Sequence, residues 1–177
     1  MAIEVRKVDT FNRADLGDIC QGTADAIEDG IGFNWVTPPV QEVLESYWNG
    51  VLVVPERLLF CGWLDGTLAA TVQLIKPAAS KETSAFAAHI DAHFVAPWAR
   101  GHGLAKAVLQ AAEREAAVLG FTVLRLNVRE TQDAAIKLYQ ENGYVRWGIL
   151  PYEEFVGGRM MAGHHFYKRI EAASGIE

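Results

Sequence analysis

Positions 89 to 105 concentrate the residues able to do chemistry. His89, Asp91 and His93 alternate with apolar neighbours, and Arg100-Gly101-His102-Gly103-Leu104-Ala105 follows closely. The two-residue period of an extended chain places His89, Asp91, His93 and Val95 on one face of a strand. Glycines at 101 and 103 let the backbone turn so that successive amides point into one concavity. A helix opening at Leu104 adds unpaired N–H groups and a partial positive charge. Such a turn suits an anion, phosphate above all, and Arg100 at its edge can add a charge-assisted bond. Two familiar phosphate loops are excluded. Position 106 is Lys106, so the third glycine of a dinucleotide fingerprint is missing, and no Gly-Lys-Ser/Thr triplet occurs. The same residues also suit an ordinary tight strand-to-helix connection, and the loop by itself leaves both readings open.

The elements that position this segment follow from periodicity and turn chemistry. A strand is expected over 3–8, then a helix carrying Leu16, Ile19, Cys20, Thr23 and Ile27 that stops at Asp29-Gly30. Gly30 to Pro39 reads as a loop, and Val40, Val43, Leu44 and Tyr47 mark one face of a second helix. Asp65-Gly66 supplies the positive φ of a hairpin between Leu58 and Ile75. Strands at Phe86–Val95, Phe121–Val128, Tyr144–Ile149 and His164–Ile170 alternate with helices at Leu104–Leu119 and Asp133–Glu141. The pattern predicts an α/β chain, a mixed sheet with helices on both faces, forming one domain over 1–177.

Composition bounds the partners. The 177 residues carry 16 Lys+Arg against 22 Asp+Glu, a net charge of −6, with 50% hydrophobic residues and two cysteines. That balance excludes disorder, a disulfide scaffold and non-specific nucleic-acid binding. Cys20 and Cys61 sit among apolar residues, as small buried hydrophobes of a reducing cytoplasm do, and no metal is expected. No apolar run reaches the ~18 residues of a membrane helix, and the first residues do not begin a signal peptide.

Arg100-Gly101-His102-Gly103-Leu104-Ala105 resembles the Arg/Gln-x-x-Gly-x-Gly/Ala motif of the GNAT N-acetyltransferase superfamily, which binds the pyrophosphate of acetyl-CoA. Val95-x-Pro97 before it is similar to the end of that family's bulged central strand. Leu124-Arg125-Leu126-Asn127-Val128, Ala135-x-x-Leu138-Tyr139 and Asn142-Gly143-Tyr144 resemble its second motif block. One departure is Gln132, where the family often has Asn. The resemblance implies the GNAT fold, with an acceptor-side half over 1–85, an acetyl-CoA half over 86–150 and a C-terminal hairpin over 151–177. It implies acetyl-CoA as acetyl donor, held by Phe94, Val95, Arg100, Gly101, His102, Gly103, Leu104, Ala105, Gln132, Ala135 and Tyr139. The tail from Gly148 to Lys168 is more weakly similar to the tabtoxin-resistance-type small-molecule acetyltransferases.

Acetyl transfer to an amine needs a base, because alkyl ammoniums have pKa values near 10.4. His89 stands where many relatives carry Glu, and imidazole is a competent base at neutral pH. Asp91 could orient it or share a water chain with it. Tyr139 stands where the family places a tyrosine near the sulfur, able to protonate the departing thiolate. A backbone amide at a strand bulge around Phe94 and Val95 is expected to polarise the carbonyl. Phe33, Trp35, Tyr47 and Trp48 fall where relatives build the acceptor wall, and Tyr152, Glu153, Glu154 and Phe155 on a late loop that could close over it. The expected acceptor is a small-molecule primary amine, attacked directly in a ternary complex. Protein or peptide acetylation and a non-catalytic acyl-CoA-binding module are the alternatives. The partner reading includes neither nucleic acid nor membrane and allows a homodimer.

Overall fold

A computed structural model describes residues 1–30 and 33–173, so part of the expected Gly30–Pro39 loop and the last four positions lie outside the described residues. The fold is α/β, with a seven-stranded mixed sheet in the order β1-β2-β3-β4-β5-β7-β6. Its elements are β1 (Ile3–Val8), α1 (Arg13–Glu28), α2 (Gln41–Val53), β2 (Arg57–Leu64), β3 (Thr67–Ile75), β4 (Ala87–Val95), α3 (Leu104–Val118), β5 (Val123–Arg129), α4 (Asp133–Glu141), β6 (Val145–Val156) and β7 (Arg159–Arg169). The chain divides into two compact units. One comprises Met1–Lys76 with Ile90–Glu115, the other Pro77–His89 with Ala116–Glu177.

In the first unit β2 and β3 are near-continuous apolar runs, Leu58 to Leu64 and Leu68 to Leu74, and almost every residue in them is buried. Strands read this way when both faces are covered. Asp65 (φ 49°) and Gly66 (φ 85°) make the expected left-handed two-residue turn between them. On one face α1 and α2 bury Ile19, Ile27, Leu44, Trp48 and Val51 against Leu59, Cys61 and Trp63. The buried stripe of α2 is Leu44, Trp48 and Val51; Val40 and Val43, expected on it, are exposed. Asn12 caps α1, accepting from the Asp15 amide at 2.8 Å, and Asp15 accepts from Trp63 Nε1 at 2.8 Å. On the other face α3 seats Leu104 and Val108 over Gly62. A Cβ on Gly62 would stand 3.0 Å from a side-chain carbon of each. Gly62 thus sets how closely α3 approaches the sheet.

In the second unit the start of β4 runs parallel to β5, and β5-β7-β6 continues antiparallel. Leu124, Leu126 and Phe166 turn to the buried face, where Phe166 meets Tyr139 of α4 with ring centroids 6.0 Å apart. β6 extends to Val156, beyond the Ile149 expected. Pro151-Tyr152-Glu153 is accommodated by a register shift between Leu150 and Glu154 rather than by leaving the strand.

Candidate active site

The glycine turn has the geometry its sequence implies. Gly101 (φ 81°) and Gly103 (φ 85°) are both left-handed and flank His102, whose Nδ1 stands 3.1 Å from the Ala99 carbonyl oxygen. α3 begins at Leu104, and the first amide of its ladder, that of Ala107, donates to Gly103 at 3.1 Å. A Cβ built on either glycine meets no atom within 4 Å, so both open onto free space. An open turn whose donors are backbone N–H groups fits a pyrophosphate. Arg100 borders this turn but ion-pairs with Asp29, Nη1 to Oδ2 at 2.5 Å, with both side chains largely in solvent. An exposed pair of this kind is worth about 0–1 kcal/mol, so Asp29 is a weak competitor for a bound phosphate.

β4 departs from the expected alternation. Ala92 is left-handed (φ 44°), a conformation that costs a non-glycine residue about 1–3 kcal/mol. Two contacts hold it there: its amide donates to Asp91 Oδ1 at 2.8 Å, and its carbonyl accepts from Thr71 Oγ1 at 2.8 Å. The distortion therefore sits at Ala92, two to three residues before the bulge expected around Phe94 and Val95, both of which are buried. The extra residue separates the titratable side chains. Asp91 lies on the α2 side, while His93 turns the opposite way and its Nε2 donates to the Ala105 carbonyl of α3 at 2.9 Å. His89, Asp91 and His93 do not share one face.

Desolvation pushes the His93 imidazole down to about 4, against the opposing effect of the Ala105 hydrogen bond. A histidine held neutral in the native state charges first in the unfolded one. Its stabilisation is complete above pH 6.5 and is lost as pH falls from there through 4. We expect His93→Gln to flatten the acid limb of stability by on the order of 2 kcal/mol, measured by urea unfolding at pH 7 and pH 4.5. An unchanged difference between the two pH values would refute this assignment.

Asp91 borders a recess of about 110 Å³ lined by Phe33, Asn34, Trp35, Tyr47 and Ala92. Drug-sized sites run to about 300–1,000 Å³, so this one has room for only a small group. Asp91 Oδ2 is 3.7 Å from Arg57 Nη1, Arg57 donates to Gln73 Oε1 at 2.5 Å, and Gln73 donates to the Tyr47 hydroxyl at 3.2 Å. Burial pushes the Tyr47 phenol up, against the opposing Gln73 hydrogen bond, and the Asp91 charge adds to the rise. Arg57 and Gln73 were missed in the sequence because they lie in β2 and β3, whose runs read as apolar core.

Two expected wall residues stand elsewhere. Trp48 is fully buried, its Nε1 donating to Thr23 Oγ1 at 3.0 Å, and supports Tyr47 from behind at a ring distance of 5.0 Å. Tyr152 is 74% exposed on β6, and Glu153 and Glu154 belong to that strand, not to a solvated loop. Glu154 ion-pairs with buried Arg129, and Glu153 accepts hydrogen bonds from Asn127 Nδ2 and His165 Nε2.

Tyr139 is buried against Tyr144 (5.5 Å) and Phe166 (6.0 Å). Gln132 stands at the N-terminal cap of α4, with half-buried Ala135 in its first turn. His89 is half-buried and in register with Arg125. Cys20 and Cys61 are free and buried, and burial raises both thiols, Cys20 to about 11. No cluster of three or more metal-ligating side chains occurs among the described residues, and none of their helices is long and apolar enough to cross a membrane.

The GNAT acetyltransferase family model matches residues 23–144. A protein of Azospirillum brasilense, described as an uncharacterized N-acetyltransferase in the hisH-hisA intergenic region, is 53% identical over 130 residues, 73% of this chain and 77% of that one. An N-acetyltransferase from Staphylococcus aureus superimposes with a TM-score of 0.81 at 17% identity, over 96% of this chain and 99% of its own. A phosphinothricin acetyltransferase from Sinorhizobium meliloti does so with a TM-score of 0.78 at 18% identity, over 100% and 93%. Both structural likenesses show the fold. The left-handed glycine turn at the start of α3 lies within the matched region, and the chain belongs to the GNAT family, as an acyltransferase dependent on acetyl-CoA.

Proposed function

We propose that this enzyme acetylates the primary amine of a small molecule by direct attack in a ternary complex. The observation that carries the reading is the carboxylate of Asp91 at the rim of a recess of about 110 Å³ walled by Phe33, Trp35 and Tyr47. Aromatic faces and one carboxylate favour a compact cation, and the volume suits a small amine better than a peptide chain. Asp91 binds the ammonium, and His89 or Asp91 removes its proton. The freed lone pair attacks the thioester carbon, the C–S bond breaks, Tyr139 gives its proton to the thiolate, and the second proton shed by the nitrogen restores the Tyr139 phenol. Gly101, Gly103 and the first amides of α3 hold the pyrophosphate, with Arg100 alongside. The acetyl-CoA complex of the Sinorhizobium meliloti neighbour supports the same donor here. Buried free thiols fit the reducing cytoplasm.

The test is thiol release from acetyl-CoA across a panel of small amines and peptides, with thermal shift as the binding control. Acetyl-CoA at a hundred times its Kd should stabilise the protein by about 2.7 kcal/mol. Small amines should release thiol and peptides should not. Tyr139→Phe should lower kcat at least tenfold with the acetyl-CoA shift unchanged. Turnover confined to peptides, or a full-rate Tyr139→Phe enzyme, would overturn the reading.

A further inference from the structure

The polar chain behind the recess of the first unit has a direction, and the acetyl-transfer step leaves it unused. β3 is an apolar run interrupted by two buried polar residues, Thr71 and Gln73, two positions apart and so on one face. They pair with Cys61 and Leu59 of β2, which belong to the core under α1 and α2, so this face looks toward the helices. Thr71 holds the Ala92 carbonyl, and Gln73 reaches the Tyr47 hydroxyl. A fully buried amide destabilises a strand unless its polar atoms are paired, a demand that an apolar side chain does not make. Gln73 has both of its polar atoms engaged, Oε1 with Arg57 and Nε2 with Tyr47.

The sense of each hydrogen bond is fixed from one end. A guanidinium donates only, so the atom of Gln73 that stands 2.5 Å from Arg57 Nη1 is its oxygen. The amide nitrogen is thereby turned to Tyr47 at 3.2 Å, and the phenol oxygen accepts. The Tyr47 proton is left for another acceptor, and among the described residues nothing takes it. A phenol with a pKa near 10 carries that proton at neutral pH. Asp91 accepts from the Ala92 amide through Oδ1 and faces Arg57 through Oδ2, and a carboxylate has no proton to give. The recess therefore presents an acceptor at Asp91 and a donor at Tyr47. Asn34, the other polar wall residue, can donate or accept and imposes neither.

We propose that Tyr47 determines acceptor specificity, its hydroxyl donating to an oxygen that the substrate carries a few bonds from its amine; this rests on the acetyl-transfer reading above. The substrate class is then an amine with a neighbouring hydroxyl, amide or carboxylate oxygen, not a plain alkylamine. The ammonium donates to Asp91 while the oxygen accepts from Tyr47, and a recess of about 110 Å³ keeps both contacts on one small group. A plain alkylamine leaves the Tyr47 proton in the recess without a partner. A site built around such a donor rejects the analogue that lacks the acceptor. Gln73 is a positioning residue, because it decides which way the phenol proton points, and Arg57 decides the same for Gln73.

The experiment measures thiol release for amines matched in shape and differing in the oxygen: ethanolamine against propylamine, and glycinamide and glycine against isobutylamine. The wild type should favour the oxygen-bearing member of a pair by roughly tenfold or more in kcat/KM, and the arm with the largest ratio names the oxygen. Tyr47→Phe should bring that ratio close to one, with the acetyl-CoA thermal shift intact. Gln73→Glu keeps the shape and the Arg57 contact but offers Tyr47 an acceptor. The phenol proton then turns away from the recess, and the ratio should fall in the same way. A variant that is merely destabilised loses rate on both members alike and keeps the ratio. No preference in the wild type, or a preference that survives either substitution, would overturn the inference while acetyl transfer stands. A wild type silent toward every amine would overturn the acetyl-transfer reading, and this inference with it.

Discussion

Trp48→Ala is expected to lower the free energy of unfolding by about 3–5 kcal/mol, a large part of the roughly 5–15 kcal/mol that holds a domain together. The indole is fully buried in α2 and touches the aromatic cluster on three sides, with ring centroids 5.0 Å from Tyr47, 6.0 Å from Phe33 and 6.3 Å from Phe94. Its Nε1 donates to Thr23 Oγ1, which itself donates to the Ile19 carbonyl at 2.6 Å, so one side chain ties α2 to α1. Alanine leaves a cavity that these rings cannot close without leaving their edge-to-face contacts. Trp48→Phe keeps most of the volume and loses the hydrogen bond, and should cost about 1 kcal/mol beyond the missing area. Urea unfolding of the two variants separates packing from polarity. A loss under 1 kcal/mol for the alanine variant would mean that the cluster is not close-packed. Phe33 and Tyr47 line the recess, so Trp48→Ala should also raise KM for the acceptor.

Where a local signal determined the outcome, the sequence was sufficient. Asp65-Gly66 turns as it reads, α4 begins at Asp133 and ends at Glu141, and Gly101 and Gly103 are left-handed because the turn requires it. Ala92 shows the limit. Nothing in an alanine marks it as left-handed; Thr71, twenty-one residues away, and the Asp91 carboxylate impose the conformation from outside. That single residue sends His93 to the α3 side, and a strict two-residue period could not show it. The resemblance likewise grouped Tyr47 and Trp48 in one wall but not which of them faces the recess. The carboxylate pairing of β6 was hidden for another reason. Glu153 reaches His165 only through a register shift and the absence of a side chain at Gly163, both properties of a strand pair. His164-His165 preceded by Gly163 was the one available hint.

Gly103→Val is expected to weaken acetyl-CoA binding by about two orders of magnitude while leaving a folded protein. At φ 85° a β-branched residue is strained by about 1–3 kcal/mol, and the Cβ meets no protein atom within 4 Å. Destabilisation should therefore be confined to that strain. In the proposed cradle, the space the valine fills is the space through which phosphate oxygens would approach the amides of residues 103 to 105. A backbone hydrogen bond to a charged group is worth about 1.5–3 kcal/mol, so losing one gives a roughly tenfold to hundredfold loss of affinity, and losing two more. Gly120 supplies the control. It has φ 86°, also with no atom within 4 Å of a built Cβ, on the connection that follows α3. Gly120→Val should cost a similar unfolding free energy and leave acetyl-CoA titrations unchanged. Equal stability losses with acetyl-CoA bound normally by both variants would reduce the Gly101–Gly103 turn to a plain strand-to-helix connection. Loss of affinity in Gly103→Val alone would separate a pyrophosphate cradle from backbone strain, because the two sites share the strain and differ only in what their open space is for.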